Sequence, residues 1–468
     1  MKASPATSAN PALVILAGSM LVGSLGISLA TVALPALARA FAAPLQSVQW
    51  VIIAYLVAVT ASIVALGRLG DLLGHTRVLI LGLAVFALAS LACAFAPTLS
   101  SLIAARIFQG LGGAVLMALP ISIIRTVVPG EKTGSAMGLL GTMSAVGTAL
   151  GPSLGGITIE HYGWRAGFVT VGLVAFMLLA MAVIVFSRQP RRETTASAAI
   201  DWFGSLLLAL ALSAYALSMT SAGDVLDARM LFPLTAVLAA LFVWRQIVTT
   251  SPLVPIVLLR NSRIGLSLAM NLFISTVMMS TLVVGPYMLS LGLGLDESAI
   301  GLVMAVGPLT AALSGLPAGR LTDRFGAARM LPAGLAQIVA GLIALALLPQ
   351  WLGLWGYGLA LILLTPGFQI FLAANNTVTM QTVAEDQRGV LSGLLGLSRN
   401  LGFVTGASAI SSLFALNLGD VELARAEPSL IAHAFRLTFL MATALPVTAL
   451  MADLVRGRVT GPGSAKQI

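Results

Sequence analysis

Charged side chains of this chain recur in two short stretches that share one pattern. Residues 67–79 read GRLGDLLGHTRVL and residues 319–331 read GRLTDRFGAARML, with seven of thirteen positions identical. Each stretch sets a carboxylate, Asp71 or Asp323, among glycines and arginines. Glycines permit a tight turn. The pattern predicts two equivalent charged loops, which contain Gly67, Asp71, Gly74, Arg77, Gly319, Asp323, Arg324 and Gly326.

The composition shows what surrounds these stretches. Hydrophobic residues make up 58% of the chain, charged residues 9%, and the mean hydropathy is +1.02. Soluble domains carry about 25% charged residues, so the chain is predicted to be an integral membrane protein. A single cysteine, Cys93, excludes an intramolecular disulfide and a cysteine-based metal site. The net charge of +9 is spread over short loops, which does not indicate nucleic-acid binding.

Long apolar runs predict an all-α protein with fourteen transmembrane helices. The fifth predicted helix, at about 134–158, and the thirteenth, at about 389–415, each contain a glycine-rich segment. The remaining helices are predicted at about 12–37, 48–66, 78–96, 102–124, 165–187, 202–220, 230–248, 264–291, 299–318, 330–349, 353–374 and 434–454.

The distribution of basic residues predicts the orientation. With the N-terminus in the cytoplasm, eighteen Lys and Arg residues fall on the cytoplasmic side and five on the outer side. This bias predicts that both termini are cytoplasmic in a multi-pass protein of the plasma or inner membrane. Both charged stretches then lie on the cytoplasmic face.

A second pair of segments indicates an internal repeat. Residues 138–151 (GLLGTMSAVGTALG) and 393–406 (GLLGLSRNLGFVTG) match at six of fourteen positions, with an offset of 255 residues against 252 for the first pair. We therefore expect a six-helix bundle at 1–187, a linker with two additional helices at 188–263, a second six-helix bundle at 264–456 and a cytoplasmic tail at 457–468. Repeated bundles around a central pathway are typical of secondary transporters.

With these motifs the sequence resembles the major facilitator superfamily, specifically its fourteen-helix drug:proton antiporters. The family's loop motif matches both charged stretches, and its fourth-helix motif matches Arg106, Gln109 and Gly110. VALP (32–35), QWVIIAY (49–55) and DWFGSLLL (201–208) resemble further family signatures. The antiporter motif G-x8-G-x3-GP-x2-GG of the fifth helix matches in full, at Gly138, Gly147, Gly151, Pro152, Gly155 and Gly156.

The resemblance implies a role for each motif. Asp71 is expected near the start of the thirteenth helix and Asp323 near the start of the fifth, so that the two charged loops form a latch that closes the inner gate. The antiporter motif is expected to line the interface between the bundles and is associated with efflux, although plain helix packing would also explain its glycines. Arg106 and Gln109 are implicated in proton transfer. The residue chemistry alone allows Arg106 to be functional or to extend to the outer interface.

Several polar residues in apolar helices could line a substrate cavity. Arg399 lies eleven residues beyond Arg388 and is either functional or structurally paired. Each of the others could instead bond a neighbouring helix. The cavity candidates are Tyr55, Asn271, Tyr287, Asn375, Asn376 and Arg399.

The chain departs from the family pattern in its first helix. Gly26 stands where these antiporters usually carry an acid, and Thr31 replaces a nearby asparagine. No Asp or Glu lies in the middle of a predicted helix. Proton coupling would then use Asp71 or Glu160, a proton carried by the substrate, or no proton at all. Arg106 and Arg399 without a carboxylate favour neutral, zwitterionic or anionic substrates over dications.

The sequence therefore predicts a transporter that exports small, mostly hydrophobic compounds by alternating access with proton antiport. Alternatives are a dedicated exporter of one endogenous metabolite or siderophore, and an uncoupled or uptake facilitator of the same superfamily. No HExxH motif or intramembrane acid pair indicates an enzyme. The expected partners are a small-molecule substrate, protons and the lipid bilayer, with no cofactor, metal or nucleic acid, and the chain is expected to be a monomer.

Overall fold

The computed structural model describes residues 5–128, 133–186, 201–220, 228–250, 252–254, 258, 260–383, 388–419 and 426–459. Within these ranges the surroundings of some side chains are not described, Asp71 and Gly138 among them. Most of the predicted linker, at 187–200, and of the predicted tail, from 460 onward, lie outside the described residues.

Among the described residues, fourteen long helices follow one another in the order predicted from the apolar runs, and the last of them is continued by a second helix at Ala444–Val459. The first bundle contains α1 to α6, the additional pair is α7 and α8, and the second bundle contains α9 to α14. Their bounds are α1 Pro5–Phe41, α2 Trp50–Leu73, α3 His75–Ala94, α4 Leu99–Val127, α5 Thr133–Tyr162, α6 Trp164–Phe186, α7 Trp202–Thr220, α8 Ala228–Val248, α9 Ser262–Tyr287, α10 Glu297–Phe325, α11 Ala327–Leu347, α12 Pro349–Met380, α13 Arg388–Thr405 and α14 Pro428–Ala442.

These helices are long enough to cross a bilayer. Among the described residues, thirteen helical segments are long and apolar enough to span a membrane, and α5 adds a helix of 30 residues. Further segments extend some of them. A helix at Leu45–Val48 precedes α2, and a helix at Ala444–Val459 follows α14 and completes its span, Pro428–Val455. Two π-helical segments, Met288–Gly292 and Gly406–Ile410, follow α9 and α13, and Ser411–Leu418 continues α13.

The two charged stretches fold into the same turn. Gly74 alone separates α2 from α3 and has φ 95° and ψ 123°. Gly326 alone separates α10 from α11 and has φ 85° and ψ 137°. A positive φ of this size is strained for residues with a Cβ and is readily adopted by glycine. The repeated sequence therefore produces a repeated geometry.

The bundles also repeat a close contact between two helices. A Cβ built on Gly147 of α5 would lie 2.3 Å from the carbonyl oxygen of Leu21 on α1. A Cβ built on Gly402 of α13 would lie 2.4 Å from the carbonyl oxygen of Leu272 on α9. Glycines at such positions let two backbones approach closely, so each bundle holds its fifth helix against its first in the same way.

The additional helices attach to both bundles. Helix α7 packs against α2 of the first bundle and against the π-helical segment Gly406–Ile410 of the second. Trp50 Nε1 donates a hydrogen bond to Thr220 Oγ1 at 3.1 Å, which joins α2 to the end of α7. Helix α8 packs on α7 and exposes large apolar side chains such as Phe232 and Trp244, as expected of a helix at the lipid-facing periphery.

Candidate translocation pathway

The molecule has two ends, which we call the motif face and the opposite face. The motif face carries the turns at Gly74 and Gly326. The opposite face lies where α5 ends at Tyr162 and α10 begins at Glu297.

Arg106 is fully buried inside the first bundle. Its Nε donates to the carbonyl of Val51 at 2.7 Å, and its Nη1 donates to the carbonyl of Gly26 at 2.9 Å and to Gln109 Oε1 at 2.5 Å. Its Cζ lies 4.3 Å from the ring centroid of Tyr55. Carbonyl dipoles and an aromatic face therefore hold the charge, and no described carboxylate contacts it. An arginine that reaches the outer interface is excluded by this burial.

Gln109 fixes this guanidinium to α3. Its Nε2 donates to Ser90 Oγ at 2.8 Å, and Ser90 Oγ donates to the carbonyl of Phe86 at 2.7 Å. The buried thiol of Cys93 lies 3.8 Å from Gln109 Oε1. These amide and hydroxyl groups hold the Arg106 guanidinium in one orientation. The described residues around Arg106 provide no carboxylate or imidazole to accept its proton.

Gly26 contributes its backbone to the same arrangement. A Cβ at this position would lie 2.9 Å from Phe86 Cζ and 3.7 Å from the Tyr55 hydroxyl oxygen. An acidic side chain here would therefore require the Phe86 ring to move. Gly26 stands where the family usually carries an acid. It instead contributes a backbone carbonyl that accepts a hydrogen bond from Arg106.

The antiporter motif first joins α5 to α1. Ser28 Oγ donates to the carbonyl of Gly147 at 3.2 Å, and Ser24 Oγ lies 2.6 Å from Ser144 Oγ. A Cβ on Gly151 would lie 1.8 Å from Ser28 Oγ. The surroundings of Gly138 lie outside the described residues. This part of the motif holds the first bundle together.

The C-terminal end of the motif lies between the bundles. A Cβ on Gly156 would lie 2.3 Å from the carbonyl oxygen of Glu297 and 3.0 Å from Gly301 Cα, both on α10. A Cβ on Gly301 would in turn lie 2.2 Å from the carbonyl oxygen of Pro152. Gly155, one residue before Gly156, faces α1. The backbones of α5 and α10 therefore meet without intervening side chains at these positions.

Polar contacts close the opposite face. Arg39 at the end of α1 forms an ion pair with Glu297. Glu160 Oε2 accepts a hydrogen bond from the backbone N–H of Ser298 at 3.0 Å. A carboxylate at the N-terminus of a helix is stabilised by the helix dipole. The first bundle thus holds the start of α10 through two helices.

The described residues of the charged stretches are mostly exposed or partly exposed at the motif face. A Cβ on Gly67 or Gly319 would have nothing within 4 Å. Arg77 and Arg324 are exposed. Asp323 lines a cavity of about 640 Å³ together with Arg263 and Gln381, and all of its lining residues belong to α9–α12 or their connections. The side chain of Asp71 lies outside the described residues, so the latch stays a prediction.

Three of the predicted cavity residues hold helices together here. Tyr55 donates from its hydroxyl to the carbonyl of Gly23 at 3.2 Å. Asn271 Nδ2 donates to the carbonyl of Leu395 at 2.8 Å. Asn375 Oδ1 accepts from Ser267 Oγ at 2.5 Å, and Nδ2 donates to the Ser267 carbonyl at 3.3 Å. All three are buried.

The other three cavity candidates differ from these in burial or bonding. Tyr287 is fully buried, and its hydroxyl has no hydrogen-bond partner among the described residues. Asn376 and Arg399 are exposed. Arg399 lies eleven residues into α13, about 16 Å along the helix at 1.5 Å per residue, which is close to the middle of a hydrocarbon core about 30 Å thick.

A polar cluster around one buried acid, Asp201, joins the additional helices, and the sequence did not predict it. Asp201 caps α7 by accepting from the Gly204 N–H at 2.9 Å, and it also accepts from Arg245 Nε at 3.0 Å and from Gln246 Nε2 at 3.2 Å. Its side chain is 1% exposed. The motif DWFG pointed to Asp201, but its partners at the end of α8 lie 44 and 45 residues away and carry no comparable signal.

The same cluster reaches the linker and the first charged stretch. Gln246 Oε1 accepts from the N–H groups of Leu253 and Val254 at 2.6 and 3.0 Å. Arg68 Nη2 donates to the carbonyl of Pro252 at 3.0 Å. Among the described residues, no three His, Cys, Asp or Glu side chains are grouped as metal ligands.

Comparison with known proteins identifies similar transporters. The family model described as Major Facilitator Superfamily matches residues 16–407 and 266–466. The chain is 30% identical over 412 residues to the riboflavin transporter RibZ of Clostridioides difficile, covering 87% of this chain and 88% of the relative. It is 29% identical over 417 residues to the multidrug resistance protein Stp of Mycobacterium tuberculosis, covering 85% and 75%.

A solved structure shares the fold. The crystal structure of a bacterial homologue of the human lysosomal transporter Spinster, in an inward-facing and unoccupied conformation, matches with a TM-score of 0.71 at 15% identity. The match covers 96% of this chain and 97% of that chain.

Proposed function

Because the chain belongs to the major facilitator superfamily, we propose that it is a secondary active exporter of small, mostly hydrophobic compounds. The observation that carries this proposal is the position of the antiporter motif. Its Pro152 and Gly156 contact α10 of the other bundle backbone to backbone. A contact of this kind supports a pivot on which two rigid bundles rock while the seam between them stays sealed.

Alternating access requires contacts at each face that form in turn. Arg39 and Glu160 hold the start of α10 at the opposite face. The two charged stretches provide the corresponding contacts at the motif face, with Asp71 and Asp323 as the carboxylates that close it. The motif face is then cytoplasmic, as the distribution of basic residues predicts, and the chain works as a monomer.

The proposed coupling is proton antiport through carboxylates at the two faces. Arg106 is enclosed by carbonyl groups and Gln109, so its role is to keep the first bundle in one arrangement around Gly26. Glu160 is bonded to the Ser298 N–H while the opposite face is closed. Opening of that face breaks this contact of Glu160, and opening of the motif face would break the contact of Asp71 in the same way.

The relatives support two substrate classes. A relative named as a multidrug resistance protein favours export of drugs and antibiotics. A relative named as a riboflavin transporter favours the second candidate, a transporter dedicated to one endogenous metabolite. The same scaffold serves both, so the substrate spectrum separates them.

An export screen tests the proposal. A pump-deficient host that expresses the wild type is challenged with a panel of antibiotics and dyes, and riboflavin release is measured in the same strain. We expect resistance to several unrelated compounds, lost in Asp71→Asn at equal protein level. Release of riboflavin without any resistance would instead establish the metabolite transporter. In proteoliposomes, export that continues unchanged after the pH gradient is collapsed would refute proton antiport.

A further inference from the structure

The two bundles differ at one pair of equivalent positions on the fifth helix of each. In the repeat that aligns residues 138–151 with 393–406, Ser144 of α5 corresponds to Arg399 of α13. Ser144 bonds its own bundle together, because its Oγ lies 2.6 Å from Ser24 Oγ on α1. With an arginine at position 399, the second bundle cannot form the equivalent serine–serine contact.

The partner position in the second bundle is still a serine. The repeated glycine contact pairs Leu21 of α1 with Leu272 of α9, and the same offset pairs Ser24 with Ser275. Ser275 Oγ is buried and has no hydrogen-bond partner among the described residues. Arg399 therefore does not replace the serine–serine contact. A buried hydroxyl without a partner costs free energy. Packing within the second bundle therefore does not explain why position 399 is an arginine.

The side chain of Arg399 lies on the open side of α13. A Cβ added at Gly393 or Gly396 would have nothing within 4 Å, and Asn400 is partly exposed beside them. Among its described residues, α13 exposes no large apolar side chain, whereas the lipid-facing helices expose residues such as Leu173 and Trp244. A charge at membrane depth faces a water-filled space rather than lipid, so this side of α13 faces the space between the bundles.

Among the described residues, no carboxylate lies at the depth of Arg399 to balance its charge. Every described Asp and Glu lies within about two turns of a helix end or in a connection. No described carboxylate forms an ion pair with Arg399. Arg106 is fully buried and donates to the carbonyls of Val51 and Gly26, and its Nη2 has no partner among the described residues. An unmatched cation in a partly desolvated space attracts anions strongly, and the planar guanidinium fits a carboxylate with two parallel hydrogen bonds.

We propose that Arg399 binds the negatively charged group of the transported compound. The substrate class is then the amphipathic organic anion, with a carboxylate or phenolate on an apolar body. This inference rests on the proposed export function and narrows it, because it assigns the charge that the pathway selects.

Substitutions at this one position separate charge from folding. Arg399→Ser removes the charge and leaves a small polar side chain on the exposed side of α13. We therefore expect Arg399→Ser to fold with an unchanged melting temperature. Arg399→Lys keeps the positive charge but lacks the planar guanidinium, which can make two parallel hydrogen bonds to a carboxylate.

Transport of three probes by purified protein in proteoliposomes tests the inference. The probes are fluorescein as the anion, Nile red as the neutral compound and ethidium as the cation. We expect the wild type to transport fluorescein, and Arg399→Ser to do so at least about tenfold more slowly, the loss of one charge-assisted contact. Nile red transport should be unchanged in this variant, and Arg399→Lys should retain part of the fluorescein transport.

The outcomes distinguish this inference from the export function itself. Fluorescein transport by Arg399→Ser at the wild-type rate would overturn the inference, as would a wild type that transports ethidium but not fluorescein. Either result leaves an exporter in place. A folded wild type that transports none of the three probes, and gives no resistance in the host, would overturn the export function and this inference with it.

Discussion

Gly156 offers a direct test of the contact between the bundles, because Gly147 serves as its matched control. A Cβ at either position would lie 2.3 Å from a backbone carbonyl oxygen, that of Glu297 for Gly156 and that of Leu21 for Gly147. Distances this short force one backbone to move. The contact of Gly156 crosses from one bundle to the other, whereas the contact of Gly147 stays inside the first bundle.

The same added methyl group should therefore have two different effects. Overpacking of a tight contact costs about 1–3 kcal/mol. In Gly147→Ala this cost lowers the free energy of unfolding, because the contact lies inside the first bundle. The melting temperature should therefore drop. In Gly156→Ala the same cost destabilises the conformation in which the opposite face is closed. A change of this size shifts a two-state equilibrium by about 5- to 150-fold.

The assay combines stability, cross-linking and transport. Arg39→Cys and Glu297→Cys, in a background where Cys93 is replaced by serine, are cross-linked by a short bifunctional thiol reagent when the opposite face is closed. We expect Gly156→Ala to lower both cross-linking and transport while the melting temperature stays near that of the wild type. Equal cross-linking in wild type and Gly156→Ala, together with unchanged transport, would refute the pivot at α5 and α10.

Three further substitutions test the other contacts. Asp71→Asn should slow transport at equal protein level if it forms the inner latch, which a transport assay with quantified protein checks. Arg106→Lys should lower the melting temperature, since an ammonium cannot reach the carbonyls of Val51 and Gly26 in the directions that the guanidinium does; a protein as stable as the wild type would contradict this. Asp201→Asn should loosen the attachment of α8 to α7 by weakening the bond to Arg245, which a lower melting temperature and faster limited proteolysis between the two helices would detect.

The sequence predicted the features that depend on local patterns. Apolar runs predicted all fourteen helices, and a glycine at the centre of each charged stretch predicted the turns at Gly74 and Gly326. It did not predict the carbonyls of Val51 and Gly26 as partners of Arg106. Every residue has a backbone carbonyl, so residue types do not indicate which carbonyl accepts a hydrogen bond. The same holds for Gly156, whose glycine pattern does not state which bundle it contacts.

The contacts between the bundles differ in how easily they break, and this difference suits a transport cycle. Arg39 and Glu297 are partly exposed, with side-chain exposures of 52% and 23%, and pairs of this kind contribute about 0–1 kcal/mol. Such ties can form and break in every cycle. The buried contacts of Arg106 with carbonyl groups would leave an unpaired charge if broken, which costs far more. We therefore expect the first bundle to move as one body around its arginine, with opening of the opposite face breaking the exposed contacts of Arg39 and Glu160.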